Sequence, residues 1–143
     1  MSTTRINPGR LRAECEKALT EYRDMNFHRL KTVIDKTSKE VTSEIKEKAP
    51  VRKYGLRGGR YPPGSYKKSW TSKKSLETSG RYARLIYNVK HYQLAHLLQH
   101  GHALKGYFAN RTSLTRVPAY PHIPSDEETA VKFTLAVERE LRK

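Results

Sequence analysis

Apolar positions recur with helical spacing over the first third of the chain. Leu11, Cys15, Ala18, Tyr22 and Met25 follow one another at intervals of four, three, four and three, and a second register runs through Leu30, Ile34, Thr37, Val41 and Ile45. The registers meet between Asp24 and His28, so the pattern fits one bent helix or two helices with a short break. No glycine or proline falls within residues 10–49; Asn7, Pro8 and Gly9 provide start punctuation and Pro50 a stop. An unbroken helix of this length would extend about 60 Å. That is more than a chain of 143 residues can cover with its own core, so part of it is expected to pack on another chain.

The periodicity lapses after Pro50. The segment PVRKYGLRGGRYPPGS (50–65) holds four glycines and three prolines and reads as a loop. It carries Arg52, Lys53, Arg57 and Arg60 without an acid, interleaved with Tyr54 and Tyr61. SYKKSWTSKKSL (65–76) spaces Tyr66, Trp70 and Leu76 among Lys67, Lys68, Lys73 and Lys74, and predicts a half-exposed strand. GRYARLIYNVKHY (80–92) alternates. Tyr82, Arg84, Ile86 and Asn88 share one parity, whereas Ala83, Leu85, Tyr87 and Val89 share the other and make the better core face. Trp70 and Tyr87 are expected in the core. ETSG (77–80) supplies a hairpin turn, which makes the two strands antiparallel.

In YQLAHLLQHGH (92–102), Leu94, Ala95, Leu97 and Leu98 predict a short helix with Gly101 as its C-cap. A second loop, 102–124, contains Gly106 and prolines 118, 121 and 124. Residues 125–142 read as a helix. Ser125 and Glu128 match a capping box, acids fill the first turn and bases the last, and Ala130, Phe133, Val137 and Leu141 form the expected buried stripe. The fold class is α+β: a long N-terminal helix and a C-terminal helix packed on a small antiparallel sheet, with long basic loops. A single domain is expected, comprising a helical arm (9–49), a basic loop (50–64) and a sheet with C-terminal helix (65–143).

Composition narrows the picture. A hydrophobic fraction of 36% allows only a thin core. The single cysteine, Cys15, excludes an intrachain disulfide framework and a cysteine-cluster zinc site, and is expected as a small half-buried residue. No apolar run approaches the ~18 residues that span a bilayer, and the N-terminus lacks a signal-type apolar segment. A protein made and kept in a reducing cytoplasm is the expectation. Twenty-nine basic against fourteen acidic residues leave +15, which favours an acidic protein surface or a polyanion nearby.

The candidate chemistry centres on HYQLAHLLQHGH (91–102), which holds four of the six histidines. His96 and His100 have the i, i+4 spacing of two helical zinc ligands, but Leu97 stands where a metalloprotease needs its glutamate. A third ligand would have to come from His91, His102, His122 or a distant carboxylate. Polar histidines on the exposed side of a short helix are the simpler reading. No Gly-x-Ser-x-Gly elbow occurs, and Glu77 is the only acid between Val51 and Ser125, which argues against two-carboxylate hydrolysis there. A metal-free ribonuclease using His, Arg and Tyr stays open. GLRGGR (55–60) lacks the Walker pattern and is either a backbone-contacting basic loop or a solvated one.

Several segments together resemble a known family. KEKAP (46–50) ends the long helix, GSYKKSW (64–70) follows the loop, LIYNVKHYQLAHLLQHGH (85–102) joins strand to helix, and PAYPHIPSDEE (118–128) precedes the last helix. This series is similar to the tail-component family of tailed bacteriophages, small neck or tail-completion proteins, over about residues 11–142. The loop between Pro50 and Gly64 is longer and more basic than the family's usual link.

The resemblance implies a structural virion protein of the head–tail connector, without enzymatic activity or cofactor. It would form a homo-oligomeric ring, six-fold or twelve-fold, that joins or completes the tail. Its neighbours would be the portal-side connector or stopper and the tail terminator or tube, with non-specific contact to channel DNA and no membrane partner. Assembly would take place in the host cytoplasm. Expected assembly or DNA-facing residues are Arg52, Lys53, Arg57, Arg60, Lys67, Lys68, Lys73 and Lys74. The resemblance makes His91, Tyr92, His96, His100, Gly101, His102, Pro121 and His122 a structural corner that bonds backbone and neighbouring subunits. Two other readings are an RNA-cleaving toxin using His91, His96, His100 and Arg81, and a plain DNA-binding module.

Overall fold

The computed structural model describes residues 10–51, 61–103 and 116–142. The expected start punctuation at Asn7–Gly9, the basic residues Arg52, Lys53, Arg57 and Arg60, and Gly106 lie outside the described residues.

Helix α1 (Leu11–Lys48) is continuous over 38 residues and ends at Ala49, ahead of Pro50. Its length is about 57 Å at 1.5 Å per residue. The two apolar registers belong to one helix but have different fates. The second lies against the rest of the protein: Val33, Thr37, Ser38, Val41, Thr42 and Ile45 are buried. The first stands in solvent, with every residue from 11 to 25 exposed, Tyr22 at 64%. Cys15 is therefore exposed, not half-buried as expected, because none of the described residues folds back over this part of the helix.

After the loop, the segment read as one strand divides. Ser65–Lys68 forms a helical turn, α2, entered through Gly64 at φ +79, a backbone angle that favours glycine. Strand β1 (Trp70–Thr78) follows, then β2 (Arg81–Asn88), paired antiparallel with Trp70 opposite Asn88 and Thr78 opposite Arg81. A bulge at Ser75 shifts the register between Lys74 and Leu76.

The face of β2 turned toward α1 is the one carrying Tyr82, Arg84, Ile86 and Asn88, the reverse of the expected parity. Leu85 and Val89 are exposed, at 47% and 54%, Ala83 is exposed, and Tyr87 is half-buried with the Lys73 ammonium 5.1 Å from its ring centroid. The cause is the polar face that α1 presents to the sheet. The Asp35 carboxylate accepts from Tyr82 Oη at 2.6 Å and from Arg84 Nη1 at 2.7 Å. Buried Thr42 donates to the Ser38 carbonyl at 2.6 Å, which satisfies its hydroxyl within the helix. Alternation sorts apolar from polar, and here the polar parity has partners inside.

Helix α3 (Tyr92–His100) follows β2, and a short pair, β3 (His102–Ala103) with β4 (Arg116–Val117), lies within the segment read as loop. Helix α4 (Asp126–Leu141) starts with the predicted capping box: the Ser125 hydroxyl accepts from Glu128 N–H, and the Glu128 carboxylate accepts from Ser125 N–H. It packs along α1, where Lys132 pairs with Glu44, and the two helices flank a cavity of about 430 Å³ lined in part by Val33, Thr37, Leu135 and Ala136. The inner stripe includes Phe133 and Val137 as expected, whereas Ala130 and Leu141 are exposed. Glu40 on α1 and Arg139 and Glu140 on α4 lie along the same cavity, so the contact is partly polar.

The sheet and α4 both lie against α1. The hydrophobic core sits at the helix's C-terminal end, where Val41, Ile45, Ala49, Tyr66 and Trp70 are packed against Ile86, Ala95, Leu98 and Ile123.

Candidate functional site: the histidine corner and the outer sheet face

The corner is built around a buried histidine. His122 is 2% exposed and lies under the PAYPHI turn. Its Nδ1 is 2.8 Å from the Tyr120 carbonyl, which only accepts, so Nδ1 carries the proton. Nε2 then accepts from Tyr66 Oη at 2.6 Å. Burial pushes the Tyr66 phenol up to about 12, which keeps its proton available for this bond. Trp70 closes edge-on against both rings, at 6.0 Å from Tyr66 and 6.1 Å from His122.

Gln99 on α3 clamps the same turn. Its Oε1 accepts from His122 N–H at 3.0 Å and Ile123 N–H at 3.1 Å, while its Nε2 donates to the Ile123 carbonyl at 3.2 Å. At the other end of α3, the His91 backbone N–H donates to Asn88 Oδ1 at 2.8 Å, and the His91 ring meets Ser65 Oγ at 3.0 Å. Asn88 also donates to the Tyr66 carbonyl at 3.0 Å and accepts from Ser69 Oγ at 2.7 Å. Gly101 ends the helix at φ +69, where a side chain would place its Cβ 2.6 Å from the Val117 carbonyl oxygen. His102 pairs with Val117 immediately beyond.

The structure thus places His91, Gly101, His102 and His122 between β2, α3 and the PAYPHI turn. Tyr92, Pro121, His96 and His100 lie on its exposed side. The His96 and His100 rings are 4.8 Å apart between centroids, but among the described residues no group of three metal-ligand side chains gathers around them. Arg81 begins β2 at the hairpin tip, while His91 follows the strand's other end, so the toxin set is dispersed by about 25 Å of strand. The sequence reading missed Gln99, Asn88, Ser65 and Ser69. All four nevertheless lie inside the quoted segments, Ser65 and Ser69 in GSYKKSW and Asn88 and Gln99 in LIYNVKHYQLAHLLQHGH.

The predicted basic residues separate as well. Lys73 stands on the outer face of the hairpin over Tyr87, whereas Lys74 pairs with Glu77. Lys31 from α1 also holds Glu77, and these two partners draw its carboxyl down to about 2. Lys67 is half-buried and Lys68 exposed at α2.

The family model described as "Bacteriophage HK97-gp10, putative tail-component" matches residues 13–101, more than half of the chain. The chain belongs to this family. As an HK97-gp10 family member it is a phage tail component, which implies a place in the virion and contact with other tail proteins. The matched stretch takes in most of α1, the hairpin and α3, and stops before the PAYPHI turn and α4, so it is shorter than the resemblance read from the sequence. No curated protein and no solved structure matches the chain. No helix among the described residues is long and apolar enough to cross a membrane.

Proposed function

We propose that this tail component is a structural protein of the phage neck, a ring that joins or completes the tail on the portal side. The observation that carries this reading is the division of α1. Its C-terminal half is buried in the protein's own core, whereas its N-terminal half presents Leu11, Leu19, Tyr22 and Met25 to solvent. So much apolar surface on a helix without a partner among the described residues fits a protein completed by its neighbours. The ring would have six-fold or twelve-fold symmetry and would contact the connector or stopper above and the terminator or tube below. The +15 charge suits acidic partners or DNA in the channel.

A structural rather than catalytic role is supported by the way the histidines are used. His122 spends both ring nitrogens on internal hydrogen bonds, and His91 one on Ser65. The test is reconstitution. Purified protein added to separated heads and tails from a phage lacking this gene should restore infectious particles, and failure of the wild-type protein to do so would contradict the joining role. Replacing Arg57 and Arg60 by alanine should weaken joining while cooperative unfolding is retained; an unfolded variant would remove these residues from the assembly surface.

A further inference from the structure

Two apolar faces are exposed among the described residues, and they match one another. The first is the arm, residues 11–25, where Leu11, Cys15, Ala18, Tyr22 and Met25 make a continuous seam with the four–three spacing of a packed helix. The second is the outer face of the hairpin. The register places Thr71, Lys73, Leu76 and Thr78 of β1 opposite Tyr87, Leu85, Ala83 and Arg81 of β2 on that side. Leu76 and Leu85 are exposed at 42% and 47%, and Val89 continues the strip. A two-stranded sheet with a bare apolar face is an incomplete unit.

We propose that the arm of one copy docks on the outer hairpin face of the next, so that copies join head to tail. This inference rests on the ring reading above and gives it an interface.

The arm cannot reach its own hairpin's outer face. α1 runs unbroken through residue 48, its buried half lies on the inner face, and Lys31 and Asp35 hold it there through Glu77, Tyr82 and Arg84. The occupant must come from another molecule. The dimensions agree: the arm is about 22 Å long, and eight or nine strand residues span about 27 Å.

Charge agrees too. Residues 11–25 contain four acids and three basic residues, against fourteen and twenty-nine in the whole chain, so the positive excess lies entirely outside the arm. The hairpin's outer face carries Lys73 and Arg81 and no acid, because Glu77 belongs to the inner parity and is held by Lys31 and Lys74. Glu14 and Glu21 border the arm's seam and would meet those bases. Two hairpins face to face would instead oppose like charges. A head-to-tail contact is heterologous, covers both faces in every copy and closes into a ring when the rotation permits.

The test uses full-length protein and two exposed positions. Tyr22→Asp spoils the arm and Leu85→Asp spoils the hairpin face; both variants should keep the wild-type circular-dichroism spectrum and still unfold cooperatively. Analytical ultracentrifugation should find wild type as a closed oligomer and each variant alone as a monomer. Their equimolar mixture should give a heterodimer and nothing larger, because it contains one good arm facing one good sheet.

A second readout uses Cys15, the only native cysteine. Oxidation of Ala83→Cys should give a ladder of disulfide-linked copies that reaches the full ring. Wild type oxidised in the same way should give no ladder. If wild type is a ring and Leu85→Asp leaves it intact, this interface is wrong while the ring reading stands. If the ladder forms but the assembly is open-ended, the interface stands and the closed ring does not. A wild-type protein that stays monomeric overturns both.

Discussion

Tyr66 shows how a single residue holds the corner together. Its hydroxyl supplies the only hydrogen bond that His122 Nε2 makes among the described residues, and its ring packs against Trp70. Tyr66→Phe would leave that buried nitrogen without a donor, a loss of about 1–3 kcal/mol, measurable by urea unfolding. Gly101→Ala should cost at least ~1 kcal/mol by the same assay, since residues with a side chain are strained in this backbone region and the new Cβ would meet the Val117 carbonyl. Gly101 was legible in the sequence as a helix stop, whereas Gln99 and Asn88 were not. A side-chain amide gains meaning only from the backbone groups it meets, and those of Tyr66 and Ile123 lie more than twenty residues away along the chain.

At the scale of elements, α1, the hairpin, α3 and the capped α4 were all legible from spacing and punctuation. The parity of β2 was not. Hydrophobic alternation assumes an apolar interior, but α1 offers this sheet Asp35, with buried Ser38 and Thr42 on the same helical stripe. Helix α2 was missed because four residues are too few to show a period. The two halves of α1 looked equivalent as patterns, and only their burial separates them. Trp70→Ala, in the buried cluster, should therefore cost about 3 kcal/mol of stability. Deleting residues 1–25 should abolish assembly in sedimentation while the remaining monomer still unfolds in one cooperative transition by calorimetry, at a temperature lowered only by the loss of the partner copies. Loss of that cooperative transition would mean that the arm has an internal partner.

For the whole molecule, ion pairs join the elements across α1. Tyr82 and Arg84 hold the Asp35 carboxyl below its usual range, Lys132 and Lys48 do the same for Glu44, and Lys31 with Lys74 for Glu77. Carboxylates with lowered values favour the folded state above their unfolded values, and that contribution is lost as pH falls through the folded ones. Stability should therefore decline between about pH 4.5 and pH 2, the range set by Glu77. Glu77→Gln should flatten this acid limb in a series of unfolding curves. Tyr66 acts in the opposite direction: with its phenol raised from 10.0 to about 12, stability should fall as pH rises through that interval.

The central claim concerns where this tail component works, and electron microscopy of a lysate from a phage with the gene disrupted tests it most directly. A ring that joins tail to head predicts filled heads and separate, unattached tails in the same field. Normal, infectious particles would contradict it.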